Sequence, residues 1–372
     1  MHLIFLGTAS CYPTKHRGVS CTAVKFSDGD VWIFDCGEGS QIQIQKSSLH
    51  SGKVKKIFIT HLHGDHLFGL PGFMCAIGCF ERADEFVLEL YGPLGLRRYV
   101  RESLNLSRSP LNYKYVVHEL IPLDWQYPED IKDWKINEEG DNVLLHPQEI
   151  VGRQITNSEN IWTLFQDNHA TVNAGALVHR IPSFGFSLQQ NPISGSLKAD
   201  LLLKMGLKPG PLYGKLKQGE SVILENGQKV SFLAILEHFI NPEDVMDPST
   251  PGLKVAILGD TCDSSGMIDI ALECDYIVHE ATLEDAMKEK AIGNGHSTPS
   301  MAAAFAEQIK AKHLVLYHFS QRYKTHDDEP SLKILYNEAV AAFEKLGHDC
   351  QVTIAEDFME LALKQNKKTN SS

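Results

Sequence analysis

A chain of 372 residues with 43% hydrophobic composition can bury a sizeable core in one large domain or two. Its formal charge of −12 argues against a uniformly basic nucleic-acid-binding surface. No run approaches the roughly 18 apolar residues of a membrane span, and no signal-like stretch precedes Phe5, so the protein is expected to be soluble and intracellular, in the cytoplasm, or the nucleus of a eukaryote.

In chain order, alternation predicts strands at Leu3–Leu6, Thr22–Phe26, Val31–Asp35 and Ile57–Thr60, with helices at Glu38–Lys46 and Leu67–Ile77. From Glu119 to Asp167, eleven acidic residues stand against three basic ones, which suggests a solvated acidic insertion over about 119–170. A strand near 176–181 precedes a segment, Lys198–Lys217, with five Lys against one Asp; its Gly and Pro content breaks any regular element, so on composition it is an exposed basic loop. Strands near 255–259, 275–279, 314–317 and 352–355 follow. Ser297-Thr298-Pro299 opens one helix as cap and first-turn proline, and Leu332–Leu346 forms another with one apolar face. Residues 365–372 read as a disordered tail. The pattern is α/β. Eight cysteines (11, 21, 36, 75, 79, 262, 274, 350) lack C-x-x-C spacing and are expected as reduced, mostly buried thiols, with Cys75 and Cys79 packed in the core.

The densest chemistry lies in Thr60-His-Leu-His-Gly-Asp-His66, directly after the apolar run Ile57-Phe58-Ile59. Alternate residues of an extended chain share a face, so His61 and His63 project together while Asp65 and His66 enter the following helix. Imidazole with carboxylate favours zinc, and Mn²⁺ and Fe use the same ligand types. Other apolar runs also end on ligand-type side chains: Val255–Leu258 before Asp260, Tyr276–Val278 before His279-Glu280, Leu314–Tyr317 before His318, and Ala176–Val178 before His179. In α/β folds ligands bind beyond the carboxyl ends of strands, so these residues can converge. Taken singly, each is more often a hydrogen-bonded core residue. Together, His61, His63, His179 and Asp260 fill one metal site and Asp65, His66, Asp260 and His318 a second, with Asp260 bridging.

These motifs, with Phe5-Leu-Gly-Thr8, His279-Glu-Ala-Thr282, His296-Ser-Thr298 and His318-Phe-Ser-Gln-Arg-Tyr323 in the same order, resemble the short form of tRNase Z (ribonuclease Z, ElaC type) in the metallo-β-lactamase superfamily, from about residue 2 to Glu360. The resemblance implies a single αββα-sandwich domain over 1–364 and a protruding Gly-Pro/Lys-rich tRNA-binding arm over about 190–235. It also implies two Zn²⁺ per subunit, a 3′-extended tRNA or tRNA precursor as substrate, no membrane partner, and a homodimer in which the arm reaches tRNA on the partner subunit. The implied reaction is phosphodiester hydrolysis that removes a 3′ trailer. Asp65 would orient or activate water, and His296, held by Glu280, would protonate the leaving 3′-oxygen. His279 faces the other way and is expected to be structural. Lys15 and Arg17, in Pro13-Thr-Lys15-His-Arg17-Gly18, and Lys208, Lys215 and Lys217 of the arm would bind substrate. The family loop carries Asn where this chain has Gly18. A small-molecule phosphodiesterase or other hydrolase of the same fold is the alternative, since fold alone does not fix substrate.

Overall fold

The computed structural model describes residues 1–80, 83, 85–128, 144–192, 198–204, 210, 211, 213, 222, 223, 229, 230, 249–324 and 331–364. Two compact units divide the chain: Met1–Gln189 with Leu253–Ser372, and Gln190–Gly252. Lys208, Lys215 and Lys217, much of the expected arm, residues 129–143 of the acidic stretch and the tail lie outside the described residues. Among the described residues no helix is long and apolar enough to cross a membrane.

In the first unit, one sheet runs through β1 (His2–Gly7), β2 (Cys21–Lys25), β3 (Val31–Phe34), β4 (Val54–Phe58), β5 (Val87–Pro93), β6 (Lys114–Leu120) and β7 (Glu149–Ile150), with β8 (Gln154–Ile155) also on β6 and Glu360–Ala362 on β1. Its first three strands are antiparallel and β3 to β6 are parallel. The second sheet contains β9 (Ile161–Gln166), β10 (Ala170–Leu177) and β11 (Ser183–Gln190). In the second unit, helix Ala199–Lys204 precedes β12 (Val222–Ile223), which pairs antiparallel with β13 (Lys229–Val230). The chain then returns to the second sheet through β14 (Lys254–Leu258), β15 (Tyr276–Glu280), β16 (His313–Tyr317) and β17 (Gln351–Ile354), all four parallel.

Strict alternation places the core. Trp32 and Phe34 of β3 join Phe58, Phe184, Phe186, Val278 and Tyr317 in a cluster drawn from both sheets, while their neighbours Val31 and Ile33 pack outward. There they meet Leu70, Phe73 and Met74 of helix Leu70–Ile77 and Val100 and Leu104 of helix Leu96–Leu106. On the second sheet, Leu314 and Leu316 face helices Pro299–Gln308 and Leu332–Leu346, and Val315 and Tyr317 face inward. Strands buried on both faces between two helical layers form the expected αββα sandwich.

Several expectations need correction. Strands β5 to β9 and β11 and helix Leu96–Leu106 are not predicted by alternation. The acidic stretch is not a solvated insertion over its described length: it supplies the end of β6 and all of β7 to β9, and two of its carboxylates are buried braces. Glu119 accepts the N–H groups of Gly95 (2.9 Å) and Arg97 (3.1 Å) at the start of helix Leu96–Leu106, and Glu149 grips Arg101 with two 2.7 Å hydrogen bonds. The helix expected over Leu67–Ile77 breaks at Gly69, where a Cβ would stand 2.0 Å from the Gly37 carbonyl oxygen. The strand expected near 176–181 ends at Leu177, so His179 lies in the connection to β11. All eight cysteines are free, yet only Cys21, Cys36 and Cys274 are buried; Cys79 follows the end of its helix and is exposed, and Cys75 is half-buried.

The Arg101–Glu149 pair yields a stability prediction, because its side chains are only 3% and 0% exposed. Glu149→Ala leaves a guanidinium without its carboxylate and is expected to cost about 3–5 kcal/mol, whereas Arg101→Met with Glu149→Leu recovers most of that loss. Urea unfolding of both variants checks this. Equal destabilisation would show that the stranded charge is not the cause.

Candidate metal centre

Strand ends assemble the centre. After β4 the chain stays extended: Ile59 N–H donates to the Tyr91 carbonyl at 2.7 Å and Thr60 N–H to Asp35 Oδ1 at 2.7 Å, which carries His61 and His63 past the edge of the sheet. The short helix Gly64–Leu67 then sets Asp65 and His66 one residue apart. Asp260 stands two residues beyond β14, and His318 directly follows β16.

The seven expected ligands come together in two groups. Ligand atoms of His61, His63 and His179 lie within 4.8 Å of one another, as do those of Asp65, His66 and His318. Asp260 stands between them. Its Oδ2 faces His61 Nε2 at 3.7 Å and His179 Nε2 at 3.9 Å, and its Oδ1 faces His66 Nε2 and His318 Nε2, both at 3.3 Å. His61 Nε2 and Asp260 Oδ1 are buried without a hydrogen-bond partner, and two such orphaned polar atoms facing a nest of imidazoles suit a divalent cation.

Protonation fits that use. Burial, then the charge of His66, drives His61 well below the usual imidazole range, and burial followed by His179 brings His63 to about 4. Their lone pairs are therefore free at neutral pH. Burial opposes ionisation of Asp260 and Asp65, but the surrounding histidines outweigh it and hold both well below the ordinary carboxylate range. At His66, burial is overcome by Asp260, Asp35 and Asp65, which favour positive charge at that spot.

A supporting shell fixes the rings. Asp35 Oδ2 accepts from His66 Nδ1 at 2.7 Å, which leaves Nε2 to face Asp260. The same carboxylate accepts from Thr60 Oγ1, whose oxygen lies 3.0 Å from His61 Nδ1. His179 Nδ1 donates to the Gly295 carbonyl at 2.7 Å. Asp35 (φ 60°), His318 (φ 58°) and Cys11 (φ 74°) all occupy the left-handed region. Such conformations cost about 1–3 kcal/mol each for non-glycine residues and collect at functional sites. Sequence reasoning missed Asp35, although it ends an apolar strand just as Asp260 does.

Beside Asp260, His296 Nδ1 lies 2.9 Å from Glu280 Oε1 and 3.7 Å from Asp260 Oδ2. Glu280 is fully buried and further accepts Thr261 N–H at 2.8 Å and the Thr282 hydroxyl at 2.5 Å. Burial opposes charge on His296, yet Glu280 and then Asp260 raise it to about 9. His279 does point away, its Nε2 lying 2.8 Å from Ser264 Oγ, as alternation on β15 requires. Of the loop residues, Lys15 is exposed. Arg17 is a correction: it is 5% exposed, donates to the Tyr323 carbonyl through Nη2 and lies 5.9 Å from the Phe319 ring centroid, so it braces the loop from within and is not a surface ligand.

Comparison with known proteins agrees with this geometry. A family model described as anti-Pycsar protein Apyc1 matches residues 1–103, short of half the chain. Human zinc phosphodiesterase ELAC protein 1 is 42% identical over 98% of each chain. Ribonuclease Z of Bacillus subtilis strain 168 is 35% identical over 92% of this chain and 94% of its own. The crystal structure of human tRNase Z, short form (ELAC1), superposes with a TM-score of 0.65 at 34% identity, covering 98% of this chain and 100% of that one. The metallo-β-lactamase-fold protein YhfI of B. subtilis, at 12% identity and a TM-score of 0.53, shares the fold.

Asp35 provides the test of the supporting shell. Asp35→Asn keeps the shape but removes the carboxylate from His66, and metal affinity is expected to fall about 10–100-fold. Competition with a chelator of known affinity measures it, with circular dichroism as the check on folding. Unchanged affinity would show that His66 needs no such partner.

Proposed function

This chain belongs to the ribonuclease Z family, and from that premise we propose that it is a metal-dependent endoribonuclease that cuts the phosphodiester at the 3′ end of tRNA. The products are a tRNA with a free 3′-hydroxyl and a trailer with a 5′-phosphate. The observation that carries this reading is Asp260 set between two histidine-rich groups, with the His296–Glu280 pair alongside it.

Two zinc ions per chain, one on His61, His63, His179 and Asp260 and one on Asp65, His66, His318 and Asp260, would activate water and offset charge building on the phosphate. Asp65 Oδ2, fixed by Cys11 N–H at 2.6 Å, orients that water. His296 is protonated at neutral pH, its pKa raised to about 9 chiefly by Glu280 against the effect of burial, and donates its proton to the departing 3′-oxygen. Glu280 holds the ring and stabilises its charge. Lys15, exposed on its loop, contacts substrate phosphate. Lys208, Lys215 and Lys217 bind the tRNA and take no part in the chemistry, in a symmetric homodimer.

The decisive assay is incubation of purified protein with a 3′-extended tRNA and mapping of both new ends. His296→Ala is expected to cut about 10²–10⁴-fold more slowly with metal content and tRNA affinity retained. Glu280→Gln should act in the same direction without adding to it. Deletion of residues 205–217 should weaken tRNA binding and flatten its salt dependence, and light scattering reports the oligomer. A cut elsewhere in the tRNA, or zinc lost from His296→Ala, would overturn the assignment.

Metal content is a separate prediction. Elemental analysis should find about two zinc per chain, and Asp260→Ala should lose both together, because one carboxylate serves both groups. A fully active protein with one zinc or fewer would remove the two-metal reading.

A further inference from the structure

The cavity over the metal centre has a volume of about 830 Å³, and its walls differ in chemistry. His296 shares the lining with Arg180 and Lys290, both exposed. Near Asp65 the lining carries two large aromatic side chains, Tyr12 and Phe68, that remain 58% and 63% exposed. Exposed aromatics leave considerable apolar area in water, and both sit beside the reacting centre.

Neither is held loosely. Tyr12 follows Cys11, whose left-handed backbone (φ 74°) turns its N–H onto Asp65 Oδ2 at 2.6 Å. The Tyr12 carbonyl accepts from Gln321 Nε2 at 2.6 Å, the Ser10 carbonyl accepts from the same amide at 3.0 Å, and Ser10 N–H donates to the Phe319 carbonyl at 3.0 Å. The backbone under the phenol is therefore tied to both the metal carboxylate and the loop after β16. Phe68 closes the short helix one turn after Gly64, its N–H donating to the Gly64 carbonyl at 2.8 Å. Its ring lies over Gly64 so closely that a Cβ there would meet Phe68 Cε2 at 2.3 Å. Two largely exposed rings on fixed backbones thus share the cavity lining with Asp65, an arrangement suited to a flat, uncharged partner.

We propose that Tyr12 and Phe68 form a stacking platform for the nucleobases on either side of the scissile phosphate, so that the enzyme requires a base there without reading which base it is. This deepens the tRNA reading and rests on it. Every base has a π-face, so stacking positions a single strand irrespective of sequence. The tRNA body supplies affinity elsewhere, while the platform sets the register of the cut by holding the two nucleosides that the bond joins.

The test pairs two substrates with five proteins. One substrate is a 3′-extended tRNA, and the other is the same tRNA with abasic nucleotides flanking the cut. On the first, the double variant Tyr12→Ala/Phe68→Ala should lose about 10- to 100-fold in kcat/KM with zinc content unchanged. The wild type should lose as much when moved to the abasic substrate, and the double variant should lose little more. Phe68→Trp should retain activity, whereas Phe68→Leu, similar in apolar bulk but without a ring, should behave like Phe68→Ala. A variant penalty that persists in full on the abasic substrate, or an active Phe68→Leu, overturns the platform and leaves the tRNA reading intact. Failure of the wild type to cut the intact tRNA overturns that reading and the platform with it.

Discussion

One buried carboxylate organises the centre. Asp260 is 2% exposed, yet each of its oxygens faces a different pair of imidazoles, at 3.3 Å on one side and 3.7–3.9 Å on the other. A charge in that position is costly unless cations satisfy it from both sides, and a carboxylate can bridge two cations by offering one oxygen to each. The surrounding protein therefore has to bring two histidine groups to opposite faces of a single residue. It draws them from segments more than a hundred residues apart in sequence, which converging strand ends make possible.

The sandwich provides that convergence. Within the second sheet, β14, β15 and β16 run parallel, so Asp260, Glu280 and His318 leave at the same edge. In the first sheet, parallel pairing of β3 with β4 brings Asp35 and Thr60 together in the same way. Regular strands alone do not finish the work, because ladder geometry points neighbouring side chains to opposite faces. The left-handed turns at Asp35 and His318 redirect the chain where the ladder stops, and a well-packed interior on both sides of each sheet can sustain that strain.

Much of this was legible in the sequence. The H-x-H-x-D-H run and the ligand-type residues after apolar runs mark the centre because strand ends are also sites of chemistry in α/β folds. Strands buried on both faces were visible for the same reason: Val31–Phe34 and Leu314–Tyr317 are apolar without interruption. What escaped had physical causes. β5 and β6 carry Glu89, Gly92, Lys114 and Glu119, polar positions that disguise the strands. Glu119 and Glu149 look like solvated acids until helix Leu96–Leu106 is seen to present backbone N–H groups and Arg101 to them. The break at Gly69 depends on the Gly37 carbonyl, a contact between loops that no local pattern contains. Arg17 is similar: its loop spacing suggests a phosphate ligand, but the carbonyl of Tyr323, some three hundred residues later, claims it.

The charge of the chain shows why composition is a poor guide to the partner. A net −12 suggests a protein that repels RNA, yet the acids that build the metal centre are withdrawn from the surface. Asp35, Asp260 and Glu280 are buried at the centre, and Glu119 braces a helix. Asp65 keeps 11% of its side chain exposed. Their charge is met at short range by histidines, an arginine and backbone N–H groups, so little of it is felt outside. The cations on the cavity wall, Arg180, Lys290 and Arg322, are by contrast exposed. A phosphate entering the cavity meets three exposed cations against one exposed carboxylate, Glu38, so the fixed charge at the opening is opposite in sign to the total.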